Sequence, residues 1–329
     1  MTTTAIIGAG SWGTALAIHA AGLGHQVHLW VHSSDTFTML EKTRVNEIYL
    51  PGIRLQETVS ITQDPSSVAR TDYCIFAVPS PYFRETFQKF LPYLRENAVL
   101  ISAIKGMEIE TSKRISEIVE ELSGQRYIYS VLSGPSFAKE VAQQHPTAVV
   151  LGCADTNTGK KIQNEFSSPY FRLYFNPDVT GIEVGGSVKN IIAIASGVVS
   201  GVGYGYNTLA GLITRGLAEV NRLAVKLGAH PATLAGLAGI GDLILTCTGH
   251  LSRNRQVGIA IGKGESIDQI TSRMRMVAEG IYTTKAIHIL AQQLGVVMPI
   301  TEQVYKLIYK QQEPKTAILE LMSRELKPE

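Results

Sequence analysis

The sequence predicts an α/β fold, with a doubly wound, mostly parallel sheet over residues 1–183 and an all-helical domain over residues 184–329. Three observations predict it. Short β-rich runs alternate with helical patterns in the first half, as in βαβ units. Two of these runs, YCIFAV and AVLISAI, are continuously apolar, which is typical of strands covered on both faces. After about residue 182, long helical patterns replace the strand signals.

Each half has a regular order of predicted elements. The predicted strands are Thr4–Gly8, Gln26–Val31, Ser60–Gln63, Tyr73–Val78, Val99–Ile104, Tyr127–Leu132, Thr147–Gly152 and Phe171–Phe175. Helices between them include Tyr82–Tyr93, Thr111–Ser123 and Phe137–Gln144, and the segment Glu41–Leu55 is predicted as a loop insertion because of Pro51-Gly52. The second half is predicted to contain helices at Ser187–Ser200, Leu209–Leu227, Ser252–Gly262, Thr283–Leu294 and Thr301–Lys310.

The first strand is followed by a glycine-rich turn and a helix of small residues. Gly8 permits a tight turn, Gly10 lets a pyrophosphate approach the backbone, and Gly13 lets the helix lie close to the strand. Ser11 and Trp12 open that helix, whose first N–H groups are suited to bind an anion. Because a strand precedes the motif and a second strand follows it, the sequence predicts a Rossmann-like dinucleotide site rather than a structural turn.

Composition excludes several classes of protein. The net charge is +2, from 30 basic and 28 acidic residues, so no nucleic-acid-binding surface is expected. Cys74, Cys153 and Cys247 are far apart and odd in number, which argues against disulfides and zinc and for a reducing compartment. We find no His/Asp/Glu cluster with metal-ligand spacing. The chain starts almost directly with a strand, and the apolar region Ile191–Gly211 is broken by glycines, so we expect a cytoplasmic protein without signal peptide or membrane insertion.

The end of the second strand bears on the choice of cofactor. An NAD-specific site would place a carboxylate there, but the strand runs into His32-Ser33-Ser34, and Asp35 comes late. His32 and Ser33 can donate to a 2′-phosphate, and Lys42 or Arg44 can add charge. The alternative for His32 is an exposed histidine in a solvated turn. The residues therefore favour NADP(H), with NAD(H) also tolerated.

Three lysines differ in their surroundings. Lys105 follows a predicted strand, at the edge where doubly wound sheets bind ligands. Lys189 lies in the first turn of an otherwise apolar helix, where a merely solubilising lysine is not expected. Lys139 has Glu140 beside it and fits a solvated helix face. Lys105 and Lys189 are therefore the candidates for chemistry.

Three further segments carry polar groups suited to a ligand. Gly134-Pro135-Ser136 is a turn that starts a helix and offers N–H groups and a hydroxyl, although such turns also occur without ligands. Asp242 is a lone carboxylate in apolar surroundings and requires a cationic or hydrogen-bonding partner. Ser252-Arg253-Asn254 opens a helix with a cation in its first turn, which is unfavourable unless a phosphate binds there. An exposed basic loop is the alternative.

With these segments identified, the chain closely resembles the bacterial NAD(P)-dependent sn-glycerol-3-phosphate dehydrogenases. The resemblance covers essentially the whole chain and is carried, in order, by GAGSWGTALA, FAVPS, SAIKGME, LSGPSFAKEV, GGSVKNIIAIASG, GDLILTC, SRNRQVG and VAEGIYTTKA. It implies reversible reduction of dihydroxyacetone phosphate to glycerol 3-phosphate for glycerophospholipid synthesis. This chain departs from the family pattern at His32-Ser33, where many members carry arginine. That difference bears on the preference between NADPH and NADH.

The resemblance also implies site residues. It places the proton donor/acceptor at Lys189. The implied substrate contacts are Lys105, Gly134, Ser136, Lys189, Asn190, Asp242, Thr246, Ser252, Arg253 and Asn254. The implied cofactor contacts, which join the glycines and Ser33 above, are Ser11, Trp12, His32, Lys105, Ala138, Arg253, Val277 and Glu279.

The residues and the resemblance agree on mechanism. Lys189 would protonate the alkoxide formed at C2, and a second cation such as Lys105 together with desolvation would make it a better acid. Asp242, if close, would oppose that effect and is expected to orient Lys189 or a substrate hydroxyl. Arg253 and Asn254 would hold the phosphate. Two alternatives remain at this point: a related β-hydroxyacid dehydrogenase, and a regulatory protein that binds nicotinamide without turnover. Family likeness and the apolar helices suggest a homodimer.

Overall fold

The computed structural model describes residues 1–274 and 278–326. The chain forms two compact units, and each is described by itself. The first contains residues 1–105 and 113–183, and the second contains residues 106–112 together with the chain from Val184 onwards. The sequence did not predict that the short segment 106–112 belongs to the second unit. Met107 explains it, because its side chain is buried in the apolar core of that unit.

The first unit is built from alternating strands and helices. Its strands are β1 (Thr3–Ile7), β2 (Gln26–Trp30), β3 (Val45–Asn46), β4 (Leu50–Arg54), β5 (Val59–Thr62), β6 (Tyr73–Phe76), β7 (Val99–Ser102), β8 (Ile128–Ser133), β9 (Thr147–Cys153) and β10 (Phe171–Asn176). Its helices are α1 (Ser11–Gly22), α2 (Ser34–Thr43), α3 (Phe83–Phe90), α4 (Ile115–Ser123), α5 (Ala138–Ala142) and α6 (Thr156–Phe166). Each strand predicted from the sequence is present, with ends that differ by at most two residues.

Within the described residues, eight strands form one sheet in the order β10-β9-β8-β7-β6-β1-β2-β5. Neighbouring strands are parallel except β8 and β9, which are antiparallel. The chain leaves β1 toward β2 and β5 on one side and continues with β6, β7 and β8 on the other. The order therefore reverses between β1 and β6, whose carboxyl ends form the position where such sheets bind ligands. The predicted mostly parallel α/β fold is confirmed.

The prediction of a loop over Glu41–Leu55 was wrong. Helix α2 extends to Thr43, and β3 and β4 then pair as a small antiparallel hairpin. Pro51 is compatible with β4 because a two-stranded ribbon leaves one side of each strand unpaired, where a missing N–H costs little. Asn46 fixes the hairpin, since its buried Nδ2 donates to Ala9 O over 2.9 Å and to Thr14 Oγ1 over 2.8 Å.

In the described part of the second unit we find helices and no strand. Its helices are α7 (Val179–Val202, which begins in the first unit), α8 (Tyr206–Lys226), α9 (Pro231–Leu234), α10 (Asp242–Thr248), α11 (Arg253–Gly262), α12 (Ile267–Arg273), α13 (Glu279–Leu294), α14 (Pro299–Tyr309) and α15 (Pro314–Met322). A π-helical turn at Leu237–Gly241 leads into α10. Helix α7 starts eight residues earlier than predicted and continues through Gly185, where a Cβ would lie 2.6 Å from Ala238 O.

Helix α7 is the core helix of the second unit. Among the described residues, two segments are long and apolar enough to cross a membrane, Val179–Val202 and Pro231–Thr248, and the apolar window of the first is wholly buried inside the protein. Helix α11 packs directly against α7 through glycines. A Cβ on Gly258 would lie 1.9 Å from Ile194 O, and one on Gly197 would lie 2.1 Å from Arg255 O. This contact brings the first turn of α11 close to the residues that follow Lys189.

A buried carboxylate links two helices of the same core. Glu219 of α8 accepts hydrogen bonds from Ile300 N over 2.6 Å and Thr301 N over 3.2 Å, at the N-terminus of α14. Burial raises the pKa of the Glu219 carboxyl to about 7. Thr301 Oγ1 donates to the same carboxylate over 3.2 Å, so all three partners belong to the first turn of α14 and the role of Glu219 is structural.

Candidate active site

The glycine-rich turn after β1 contains two close backbone approaches. Gly8 has φ +113°, and a Cβ there would lie 2.8 Å from Ala77 O, which follows β6. A Cβ on Gly13 would lie 1.8 Å from Gly8 O. Any larger residue at these positions would push α1 away from the sheet. The first helix is therefore fixed with its N-terminus at the point where the strand order reverses.

The start of α1 has the properties of an anion site. A Cβ on Gly10 would meet no atom within 4 Å, so the backbone is approachable there. Gly10 is the N-cap, and no side chain among the described residues caps the helix. The Nε1 of Trp12 is buried and has no hydrogen-bond partner in the described part of the chain. A dinucleotide fits these residues, since its pyrophosphate requires an accessible backbone with available N–H donors.

The turn after β2 is exposed. His32 is exposed, with its ring 5.7 Å from that of Trp30, and Ser33 Oγ accepts a hydrogen bond from Thr36 N as the cap of α2. The suggestion that Arg44 adds charge here lacks support. Its Nη2 donates to Val59 O over 2.7 Å and to Gln56 O, so its guanidinium stabilises the hairpin connection.

Lys105, Gly134 and Ser136 lie together in the first unit. Lys105 Nζ donates to Gly134 O over 2.8 Å and lies 3.5 Å from Ser136 Oγ. Gly134 has φ +120°, and a Cβ there would lie 3.0 Å from Val149 Cα, so the turn requires glycine. Ala138 is the first residue of α5. The sequence predicted these residues separately. In the structure, Gly134 and Ser136 both lie beside the Lys105 ammonium.

Lys189 is the centre of a second polar group, inside the second unit. Its side chain is 7% exposed, and Nζ lies 2.5 Å from Asp242 Oδ1 and 2.9 Å from Thr246 Oγ1. Asp242, one of the most buried polar residues, follows the π-helical turn. Thr246 Oγ1 donates to Asp242 O over 2.6 Å, which is one helical turn earlier. A carboxylate this close favours the charged form of the lysine.

The residues that were predicted to bind a phosphate lie at the start of α11. Ser252 Oγ caps the helix by accepting from Arg255 N over 3.2 Å, and Asn254 Nδ2 donates to Asn190 Oδ1 over 2.9 Å. Burial lowers the pKa of the Arg253 guanidinium, and Glu279 opposes that shift. A half-buried cation at a helix N-terminus is suited to bind an anion. The predicted cofactor contact Val277 lies outside the described residues.

Comparison with known proteins identifies the family of the chain. The family model of the NAD-dependent glycerol-3-phosphate dehydrogenase N-terminus matches residues 3–159, and that of the C-terminus matches residues 178–319. The glycerol-3-phosphate dehydrogenase (NAD(P)+) of Solidesulfovibrio magneticus is 47% identical over 327 residues, which is 99% of each chain. That of a Geobacter species is 49% identical over 328 residues, covering 99% of this chain and 98% of the other.

The chain belongs to the NAD-dependent glycerol-3-phosphate dehydrogenase family. A crystal structure of the glycerol-3-phosphate dehydrogenase of Coxiella burnetii superposes with a TM-score of 0.95 at 39% identity, covering 98% of this chain and 99% of that one. The predicted family and the predicted NAD(P) cofactor class are therefore confirmed. The alternative of a β-hydroxyacid dehydrogenase is not favoured, because both halves of the chain match the glycerol-3-phosphate dehydrogenase models.

Sequence reasoning missed residues that hold the predicted site residues in place. Asn46 holds the carbonyl of Ala9 inside the glycine-rich turn, but in the sequence it is one asparagine in a charged stretch. Gly239 permits the turn before Asp242, since a Cβ there would lie 2.0 Å from Leu234 O. The turn at Gly239 could have been predicted from the closely spaced glycines of AGLAGIGD. Among the described residues, no group of three or more His, Cys, Asp or Glu is placed to hold a metal ion.

Proposed function

We propose that this protein catalyses the reversible NAD(P)H-dependent reduction of dihydroxyacetone phosphate to sn-glycerol 3-phosphate, a precursor of glycerophospholipids. The observation that carries the proposal is the buried ammonium of Lys189, 2.5 Å from Asp242, in the same unit as the Arg253 and Asn254 group. Membership of the glycerol-3-phosphate dehydrogenase family supports the same reaction.

Lys189 is the proton donor in this proposal. The nicotinamide, when bound, supplies a hydride to C2 of the ketone. The oxygen on C2 then gains negative charge, and the Lys189 ammonium stabilises that charge and transfers a proton to it. Asp242 keeps the lysine protonated before the reaction and, with Thr246, directs Nζ. In the oxidative direction the neutral amine accepts the proton from the C2 hydroxyl.

The phosphate is bound away from the reacting carbon. Arg253 offers a guanidinium, Asn254 an amide, and the helix capped by Ser252 its first N–H groups. Lys105, Gly134 and Ser136 supply further substrate contacts, and Asn190 donates to a substrate oxygen. Binding energy from the phosphate handle positions C2 for reaction.

Cofactor binding is assigned to the first unit and to residues near α13. Gly8, Gly10, Ser11, Trp12 and Gly13 hold the pyrophosphate. The remaining cofactor contacts in the proposal are His32, Ser33, Lys105, Ala138, Arg253, Val277 and Glu279. His32 and Ser33 are exposed donors, which supports a preference for NADP(H) with NAD(H) also accepted.

In this proposal the protein is a homodimer, and it is located in the cytoplasm. Large apolar side chains on the second unit support dimerisation, since Tyr206 is 87% and Ile244 47% exposed. The three cysteines are free, buried thiols, which fits a reducing compartment. Sedimentation at several protein concentrations tests the dimer, and cell fractionation tests the location.

The decisive experiment is an assay of purified protein with dihydroxyacetone phosphate and NADPH, followed by the loss of NADPH absorbance. Lys189→Ala should lower kcat by about 10²- to 10⁴-fold while NADPH still binds, because it removes a general acid. Lys139→Ala, which changes an exposed lysine, is the matched control and should turn over normally. Normal turnover by Lys189→Ala would remove this lysine from the mechanism.

A further inference from the structure

The amide of Asn254 lies in a chain of hydrogen bonds inside the second unit. The backbone N–H of Gly280 donates to Asn254 Oδ1 over 3.0 Å, and Asn254 Nδ2 donates to Asn190 Oδ1 over 2.9 Å. All three residues are buried. The chain therefore runs from the first turn of α13, through the first turn of α11, to the residue that follows Lys189.

The direction of these hydrogen bonds fixes the orientation of both amides. A backbone N–H can only donate, so Asn254 must present its oxygen to Gly280 and its NH₂ group to Asn190. Asn190 must then present its oxygen to Asn254. Its own Nδ2 donors consequently point away from Asn254. One backbone N–H thus determines which way two predicted substrate-binding side chains face.

Position 280 requires glycine for this contact. A Cβ there would lie 2.8 Å from Asn190 O and 2.8 Å from Asn254 Oδ1, closer than real contacts allow. Thr284 Oγ1 also donates to Gly280 O over 2.6 Å, which fixes the next peptide group, on the other side of the Gly280 Cα. Gly280 is therefore held in place and cannot be replaced without moving one of the two asparagines.

We infer that Gly280 is a positioning residue for substrate binding, which acts through Asn254 on Asn190. The inference rests on the proposed function, because Asn254 and Asn190 matter for turnover only if they bind the substrate. Gly280 itself need touch neither substrate nor cofactor. Its contribution is the orientation of the Asn190 NH₂ group, which a substrate oxygen requires as a donor.

The test compares two glycines of the same core. Gly280→Ala should raise KM for dihydroxyacetone phosphate by about tenfold, the effect of one misplaced hydrogen-bond donor, with KM for NADPH within about twofold of wild type. Gly216→Ala is the matched control. Its Cβ would lie 2.6 Å from Ile192 Cγ2, so it disturbs packing against α7 without touching the amides. It should lower the thermal midpoint and leave both KM values unchanged. An equal rise of the substrate KM in both variants would mean that Gly280 is only a packing residue.

A double-mutant cycle tests whether the effect passes through Asn254. In an Asn254→Ala background, Gly280→Ala should raise the substrate KM by less than it does in wild type, because only its approach to Asn190 O remains. Persistence of the full effect would overturn the inference. Should Gly280→Ala not fold, hydrogen–deuterium exchange at the Gly280 amide decides: it should be faster in Asn254→Ala than in wild type, and unchanged exchange would contradict the contact. Failure of wild type to reduce dihydroxyacetone phosphate would instead refute the proposed function.

Discussion

Asp242→Asn tests how the buried carboxylate controls the lysine. The substitution keeps the shape of the side chain and removes its charge. The Lys189 and Asp242 side chains are 7% and 1% exposed, with 2.5 Å between Nζ and Oδ1, so the pair is shielded from solvent. Removing one partner of a buried ion pair costs about 3–5 kcal/mol, because the other charge is left without compensation. That cost falls on the ammonium and not on the neutral amine.

The consequence is a shift in the pH profile of the reduction. The reaction requires a protonated donor, so kcat declines at alkaline pH as the ammonium loses its proton. Loss of the carboxylate therefore moves this decline toward acid pH, because the ammonium is no longer stabilised by an opposite charge. The assay is kcat for dihydroxyacetone phosphate from about pH 6 to about pH 10 at saturating NADPH.

Glu219→Gln provides the comparison for that experiment. It also replaces a buried carboxylate of the second unit by an amide, but its partners are the Ile300 and Thr301 backbone groups rather than a lysine. Its alkaline limb should coincide with that of wild type. If Asp242→Asn also retained the wild-type limb, Asp242 would not set the protonation of Lys189 and the reasoning would be wrong.

Three further changes have defined outcomes. Arg253→Ala should raise KM for dihydroxyacetone phosphate by about 10- to 100-fold, because charge-assisted hydrogen bonds contribute about 1.5–3 kcal/mol, and should leave unphosphorylated dihydroxyacetone unaffected when NADPH, which Arg253 is also proposed to contact, is saturating. Gly13→Ala should abolish NADPH binding measured by fluorescence, since the new methyl group would overlap Gly8 O. Glu219→Gln should remove a pH dependence of unfolding: the rise of the Glu219 pKa from 4.5 to about 7 makes wild type lose about 3 kcal/mol relative to the variant as pH increases through that range.

Each of these three predictions has a result that would refute it. Equal loss of both substrates in Arg253→Ala would refute the phosphate assignment. Gly211→Ala, at an exposed glycine with open space around it, is the control for Gly13→Ala and should bind NADPH normally. For Glu219, the direction of the pH dependence follows from proton binding. The folded carboxyl keeps its proton above the pH at which the unfolded one releases it. The contribution of Glu219 to the free energy of unfolding is therefore largest below about pH 4.5. A constant difference in unfolding free energy between pH 4 and pH 8 would exclude the raised pKa.

The sheet was predictable because its strands are buried on both faces. Tyr73–Phe76 and Val99–Ser102 are apolar at nearly every position, and such runs are distinct from helical patterns. The hairpin of β3 and β4 gave no such signal. It is largely exposed, and its position depends on hydrogen bonds from Asn46 to residues more than thirty positions away. Pairing of that kind cannot be read from local patterns.

The candidate site residues stood out one by one in the sequence, but their arrangement in space did not. Lys189 and Asp242 were each conspicuous as charges in apolar surroundings, where an unpaired charge is unfavourable. Their pairing across 53 positions depends on the π-helical turn before α10 and on the small residues that let it approach α7. Gly280 gave no signal of its function, since its role lies in its backbone N–H.

The pairing also changes the expected chemistry of the lysine. From the sequence, desolvation was expected to favour the neutral amine, with Asp242 as an opposing influence if it lay close. The Asp242 carboxylate lies 2.5 Å from Lys189 Nζ, and the Thr246 hydroxyl adds a second oxygen at 2.9 Å. Both oxygens stabilise the ammonium more than the amine. In the proposed mechanism this arrangement suits the reduction of a ketone, for which Lys189 must carry a proton, whereas the reverse oxidation must first remove that proton.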